Sequence, residues 1–419
     1  MILFSHPTGN ANVRQAAMAL EEAGLLGDFW TCVAWDPDSL LNRWIPKHWR
    51  QQLLRRTLPA SLRSKVRTLP MRETARHICA GAGLHWLMAD ENKPFSIDSV
   101  YRSLDRCVAR QVERMSECSA VYCYEDGAFA TFKAARQRGL PCLYDLPIGY
   151  WRAARAIYEA ESHREPDWAV TLSGTFDSRE KLARKDEELK AADLVIVASS
   201  FTKQTLLSAG IHDKPVAVIP YGSPQFTDEP TYHANAGKLR VLFVGSLGQR
   251  KGLSYLLKAV DMLKARVELT LLGRKTTDNC GPLNEATQKY HWIPSLSHAD
   301  VLKEMSCHDV LVFPSLFEGF GLVILEAMSR GIPVIATPNT AGPDVIRDGE
   351  DGFIVPICSD AAIACKLEEL ARSPQKLRDM KHAALDRAQS FAWENYRNSL
   401  VQIIHEVLSS SKSANMEIQ

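Results

Sequence analysis

Short apolar runs alternate with helical stretches along almost the whole chain, the signature of βαβ units and a largely parallel sheet. The pattern opens with an apolar run over 2–7, a Thr8-Gly9-Asn10 turn and a helical stretch over 11–24. Further strand candidates in the first half are 29–35, 120–124, 142–146, 194–199 and 216–221. The second half supplies 240–247, 267–273, 290–293, 310–315, 333–337 and 352–355. At 419 residues the chain is too long for one compact domain of about 150 residues and accommodates two larger α/β halves. The stretch 223–238 is rich in Gly, Pro, Asn and Thr and lacks periodicity, so it reads as a linker between 1–222 and 239–392. A last helical pattern begins at Trp393 and runs to about Ser409, within the segment 393–419. Two similar halves imply a pair of doubly wound sheets facing a cleft, where ligands of such sheets bind.

Fifty basic residues against 49 acidic ones leave a net charge of +1, which argues against a protein dedicated to coating nucleic acid. The ten cysteines are scattered and form no C-x-x-C pair, so they read as small buried hydrophobes in a reducing compartment. No basic leader or long apolar core opens the chain, and no apolar run approaches the roughly 18 residues that cross a bilayer. The expected location is the cytoplasm, with peripheral contact at the inner face of the membrane as an added expectation.

That addition comes from one segment. Between Leu41 and Arg76 lie ten basic residues (Arg43, Lys47, Arg50, Arg55, Arg56, Arg63, Lys65, Arg67, Arg72 and Arg76) against a single acid, Glu73. Trp44 and Trp49 interleave with leucines. The segment reads as a basic amphipathic helix lying on an anionic membrane, as a solvated helical face, or as a basic wall that receives a phosphorylated acceptor.

The chemistry concentrates in residues 313–356. A strand over 310–315 ends in the loop Leu316-Phe317-Glu318-Gly319-Phe320-Gly321, and a helix starts at Leu322. Gly331 closes that helix and Pro333 forbids its continuation. The glycines around Phe320 let backbone approach a ligand, and the helix start offers N–H groups to a phosphate. Glu318 in the loop and Glu326 one turn inside the helix can face one cleft. Beside a phosphate each carboxylate suits hydroxyl partners, as sugars supply. A second strand-loop-helix passage reads Val244-Gly245-Ser246-Leu247-Gly248-Gln249-Arg250-Lys251-Gly252. Its spacing matches neither G-x-G-x-x-G nor the P-loop, yet Arg250 and Lys251 at a strand end can meet a diphosphate.

Together these passages resemble the family four retaining glycosyltransferases. The Glu318–Glu326 pair is similar to that family's E-x-x-x-x-x-x-x-E motif, and FPSLFEGFGLVILEAMSRGIPVIAT, FVGSLGQRKGLSYLLKAV and DGFIVP resemble the family at full length. The resemblance covers roughly residues 190–395. It implies the GT-B architecture, two Rossmann-like domains with a nucleotide-sugar donor on the C-terminal one and a final helix crossing back to the N-terminal one. Position by position, it implies that Glu326 binds the ribose hydroxyls and Glu318 contacts the transferred sugar. Backbone N–H groups from Gly319 through Phe320 and Gly321 to Leu322 would hold sugar and phosphate, with Ser246 nearby. Lys251 and Arg250 would neutralise the diphosphate, and Gly9 would face the same phosphates from the first half.

Two departures stand out. Ser246 replaces a customary arginine, for which Arg250 substitutes, and Pro147 occupies a place where many members carry a histidine. Asp145 and Tyr150 are the candidates for part of that role, His6 beside Pro7 and Gly9 is a cleft-lining or structural histidine, and Tyr150-Trp151-Arg152 is a sugar-stacking or core-packing group. The run 178–190 reads as a solvated helix. The resemblance thus implies a retaining transfer from a nucleoside-diphosphate sugar, UDP first, to a glycan, lipid-linked or small-molecule acceptor in glycan or glycolipid synthesis. The donor is a co-substrate and no separate cofactor or metal is expected, since Asp36-Pro37-Asp38 is far in sequence from the donor loops. A sugar-nucleotide epimerase or phosphorylase, and a non-catalytic nucleotide-sugar binding module, are the alternatives.

Overall fold

The computed structural model describes residues 1–36, 53, 56–172, 177–232, 237–263 and 265–417, with 411–417 described by backbone alone. Two parallel sheets form the frame, as the alternation requires. The first has seven strands: β1 Ile2–Ser5, β2 Leu26–Thr31, β3 Val66–Thr68, β4 Ala120–Tyr124, β5 Cys142–Leu146, β6 Leu194–Val197 and β7 Val216–Val218. Their order is β3-β2-β1-β4-β5-β6-β7. The second has six: β8 Leu239–Val244, β9 Val267–Leu272, β10 His291–Ile293, β11 Val310–Phe313, β12 Val334–Ala336 and β13 Gly352–Ile354. They run β10-β9-β8-β11-β12-β13. Each order reverses once, between β1 and β4 and between β8 and β11, so each sheet has one switch-point crevice at its strand C-termini.

The central strands are buried along their whole length because helices cover both faces. Leu3, Val121, Cys123 and Val195 face the helices Ile97–Arg114 and Phe129–Gln137, while Ile2, Phe4, Tyr122 and Ile196 face the helix Ala11–Glu22. This period of two divides the core of the first sheet into two layers. The second layer continues through Tyr221, Phe320 and Tyr396 to Leu311 and Phe313 of the second sheet, so one apolar cluster joins both sheets. The last helix, Trp393–Glu417, lies against Ala11–Glu22, where Arg397 meets Glu22 at 2.9 Å and Gln15 at 2.7 Å. In the opposite direction, the helix Trp151–Arg164 and the turn Pro166–Thr171 bring Trp168 into the core of the second sheet.

Three expectations need correction. The second strand is Leu26–Thr31 rather than 29–35, because it pairs with β1 and β1 ends at Ser5, opposite Trp30. Among the described residues the basic segment is not one helix: a turn at Ala60–Lys65 leads into β3, and a helix follows at Met71–Gly81. Its Arg56 and Arg76 converge on buried Glu73 at 3.0 and 2.8 Å instead of facing solvent. Arg43, Trp44, Lys47, Trp49, Arg50 and Arg55 lie outside the described residues. The helix Arg179–Ala191 is not merely solvated, since Lys185 and Glu188 are buried. Glu188 accepts hydrogen bonds from the Asp126, Ala128 and Phe129 amides and so caps the helix Phe129–Gln137.

Candidate active site

The loops that follow β8 and β11 meet at the switch point of the second sheet. They are sewn together by backbone: the Leu316 amide donates to the Arg250 carbonyl at 2.9 Å, and the Ser315 hydroxyl donates to the same oxygen at 3.1 Å. This stitching brings Arg250, Lys251 and Glu318 together. Glu318 Oε2 accepts from Arg250 Nη1 at 3.0 Å and from Lys251 Nζ, and Arg250 Nη1 also donates to the Phe317 carbonyl at 3.0 Å. The Lys251 ammonium lies 4.6 Å from the centre of the Phe313 ring.

The electrostatics follow from that arrangement. Burial alone would raise the Glu318 pKa, but Lys251 and then Arg250 overcome it and hold the carboxyl below its ordinary range. Lys251 is pushed down by burial and by the like charge of Arg250, against the pull of Glu318. Two cations thus share one carboxylate, leaving an excess positive charge for an anion.

Gly319 and Gly321 have separate reasons to be glycine. A Cβ on Gly319 would sit 1.8 Å from the Pro147 carbonyl oxygen, so the loop touches the first half of the chain only because no side chain intervenes. Ser199 Oγ and Thr202 Oγ1 donate to the Gly319 carbonyl, at 2.5 and 3.1 Å. Gly321 has φ +85° and starts the helix Leu322–Met328 from the left-handed region. Phe320 is buried and packs on Tyr221 with ring centres 5.1 Å apart. Among the described residues, the amides of Phe320, Gly321 and Leu322 have no hydrogen-bond acceptor. Glu326, on that helix, meets His298 Nε2 at 2.9 Å, and this bond raises the His298 pKa against its burial.

The other candidates stand apart from this cluster. Ser246 is exposed on the loop after β8. Gly9 follows β1, and its amide and that of Thr8 donate to His6 Nδ1 at 3.2 and 3.0 Å. Burial, with Arg56 adding to it, pushes His6 down to about 3, so it stays neutral. Asp145 is 2% exposed and accepts from the Tyr122 hydroxyl at 2.7 Å, below the cleft rather than in it. Tyr150, Trp151 and Arg152 gather on the single carboxylate of Asp186. Asp36 pairs with Arg63 at 3.3 Å, and Asp38 lies outside the described residues.

Several residues that hold the site were not picked out from sequence. The Asn339 carbonyl accepts from the Glu318 amide at 3.1 Å, and Asn339 Nδ2 donates to the Leu316 carbonyl at 2.8 Å. Gln249 is fully buried, and its Nε2 donates to Glu161 Oε1 at 2.7 Å while its amide donates to Thr171 Oγ1 at 2.8 Å. His298 is the third. Polar residues one step from a charged motif were the available signal for Gln249 alone, because the partners are distant in sequence. A cavity of roughly 430 Å³ opens between the halves, lined among others by Glu125, Trp151, Tyr158, Lys185, Arg250 and Phe317.

Comparison with known proteins adds the following. Residues 225–387 match the family model described as glycosyl transferases group 1. A D-inositol 3-phosphate glycosyltransferase of Arthrobacter sp. is 32% identical over 173 residues, which is 38% of this chain and 40% of that protein. The MMP alpha-(1->4)-mannosyltransferase of Mycolicibacterium hassiacum is 26% identical over 56% of this chain and 58% of its own. The chain thus spans about half the length of the curated relatives it matches. Solved structures match over nearly the whole chain. Sucrose-phosphate synthase from Thermosynechococcus elongatus is 19% identical with a TM-score of 0.66, covering 98% of this chain and 99% of its own. Anabaena HepE in complex with UDP and glucose is 18% identical, with a TM-score of 0.63 over the same shares. Residues 225–387 are thus similar to the glycosyl transferases group 1 family, and the chain as a whole has the two-sheet GT-B fold.

Proposed function

We propose that the protein transfers a sugar from a nucleoside-diphosphate sugar to an acceptor hydroxyl, with the anomeric configuration retained and without a metal ion. The observation that carries this reading is the charge cluster at the switch point of the second sheet. Lys251 and Arg250 share Glu318 immediately before the helix that carries Glu326. A diphosphate entering there would draw both cations toward its oxygens, freeing the Glu318 carboxylate for the sugar hydroxyls. Glu326 would take the ribose hydroxyls in exchange for His298. In the reaction the bond between the anomeric carbon and the β-phosphate oxygen breaks, and one to the acceptor oxygen forms on the same face. The acceptor proton passes to the departing phosphate. Charge grows on the diphosphate as it leaves, so fixed cations and helix-end amides stabilise the transition state more than the bound donor. UDP is the first choice of nucleotide, in keeping with the uridine ligand named for the Anabaena neighbour.

On this reading residues 239–392 hold the donor and residues 1–222 the acceptor, joined through 223–238. The acceptor meets the cleft wall that contains Trp151 and Glu125. Thermal shift against a panel of nucleotide sugars tests the donor half, because a ligand at 100 times its Kd adds about 2.7 kcal/mol. A shift with one nucleotide sugar that exceeds the shift with its bare nucleotide is the expected result. No shift across the panel overturns the assignment. Release of free nucleotide and an epimerised sugar without acceptor would point to the epimerase alternative instead.

A further inference from the structure

Outside the cleft, the outer face of the first half carries a second concave site. The helix Ile97–Arg114 buries Val100, Leu104, Val108 and Val112. Residues four apart on its opposite side, Arg102, Arg106 and Arg110, therefore point away from the core. With Arg72, Ser99 and Ser103 they line a groove of roughly 500 Å³. Arg72 is fixed in it by Ser99 Oγ at 2.6 Å and by the Pro94 carbonyl at 2.7 Å. Among the described residues, no carboxylate lies within ion-pair distance of these four arginines. Elsewhere the same side chain is paired, as Arg136 is with Asp193 and Arg250 with Glu318. Four like charges along one groove repel one another until an anion enters, and guanidinium forks suit phosphate oxygens.

What adjoins the groove narrows the occupant. The helix Met71–Gly81, which begins beside Arg72, leaves Met71 78% and Ile78 57% exposed. The turn after it exposes Leu84 and, at 64%, Trp86. Large apolar side chains next to arginines that no described carboxylate pairs form the kind of surface that seats at the headgroup level of an anionic bilayer, and tryptophan belongs at that level. A soluble phosphate would use the arginines and leave the apolar ridge without a role. We propose that the arginine groove and the ridge over 71–86 dock the protein on an anionic phospholipid surface, with lipid phosphates entering the groove. The proposal stands apart from the transfer reading and overlaps, at 71–76, the segment 41–76 expected as a basic membrane face.

Flotation of the full chain with vesicles tests it, comparing phosphatidylglycerol mixed into phosphatidylcholine with phosphatidylcholine alone. Binding to the mixed vesicles only, weakened by salt, is expected. Each Arg→Gln change at 102, 106 or 110 should lower partitioning roughly fivefold, and all three together on the order of a hundredfold. M71S with W86S should also lower it, with every arginine intact. Because Arg106 and Arg110 are exposed, R106Q and R110Q should keep the wild-type melting temperature, which separates lost docking from lost folding. Equal binding to both vesicle types overturns the proposal, as does wild-type partitioning by the triple variant. So does displacement by pyrophosphate or heparin that is indifferent to M71S/W86S, which would assign the groove to a soluble polyanion.

Discussion

The two sheets reach the cleft with the same topology and opposite chemistry. Where β1 and β4 end, Asp98, Glu125, Asp126 and Asp177 face Lys181, Arg184 and Lys185, and His6 beside them is neutral. Acids outnumber bases there, and burial pushes Glu125 up against the pull of Lys185. Where β8 and β11 end, Arg250 and Lys251 share Glu318 and the bases are in excess. A doubly wound sheet therefore determines where a ligand sits, while the residues of two loops determine its charge. On the proposed reading the cationic crevice takes the diphosphate, and the carboxylate-rich one the acceptor hydroxyls.

Glu318→Ala attacks this contrast most directly. It should lower turnover on the order of a hundredfold and weaken the nucleotide sugar more than the bare nucleotide, as calorimetry with both ligands would read. Equal losses for the two ligands would remove the sugar contact from Glu318. Lys251→Ala should cut the rate by more than tenfold, since about 1.4 kcal/mol of lost transition-state stabilisation suffices. The same assay in EDTA should run at full rate, and activity restored only by magnesium or manganese would transfer the leaving-group role to a metal. Glu326→Ala should cost about tenfold in affinity for the bare nucleotide, because on the proposed reading the lost contacts are to ribose and not to the transferred sugar.

Glu125→Gln sharpens the other side of the comparison. It should change acceptor KM severalfold and leave nucleotide affinity untouched; the reverse pattern would place the donor in the first crevice. The smallest effect on chemistry belongs to Asp145, which burial pushes up to about 7 despite the hydrogen bond from Tyr122. Its folded pKa lies above its unfolded value of about 4, so its stabilising contribution is present in full below pH 4. That contribution is lost as pH rises through 7. Asp145→Asn should therefore raise the melting temperature by a few degrees at pH 8 and flatten its pH dependence between about 4 and 7. An unchanged pH profile would place the ionisation elsewhere.

Much of this was legible in the residues themselves. Strands such as 120–124, 142–146 and 310–313 are short apolar runs bounded by turn residues, a local signal that needs no partner. β3 escaped because Val66-Arg67-Thr68 is three residues long at a sheet edge, with no alternation to detect. The helix Arg179–Ala191 looked solvated because its charges balance along the chain. Only packing shows that Lys185 and Glu188 serve Glu125 and the cap of another helix.

The sequence by itself determined the parallel α/β class and the two motif loops, because periodicity, glycine placement and charge spacing act over a few residues. It could not determine which partner each charge meets. Glu318 and Lys251 are 67 positions apart, and Glu161 and Gln249 are 88. Only the strand order, which sets β8 beside β11, and the excursion of the helix Trp151–Arg164 onto the second sheet bring these pairs into contact. Electrostatic interactions depend on distance through space and on burial, and both are properties of the folded chain.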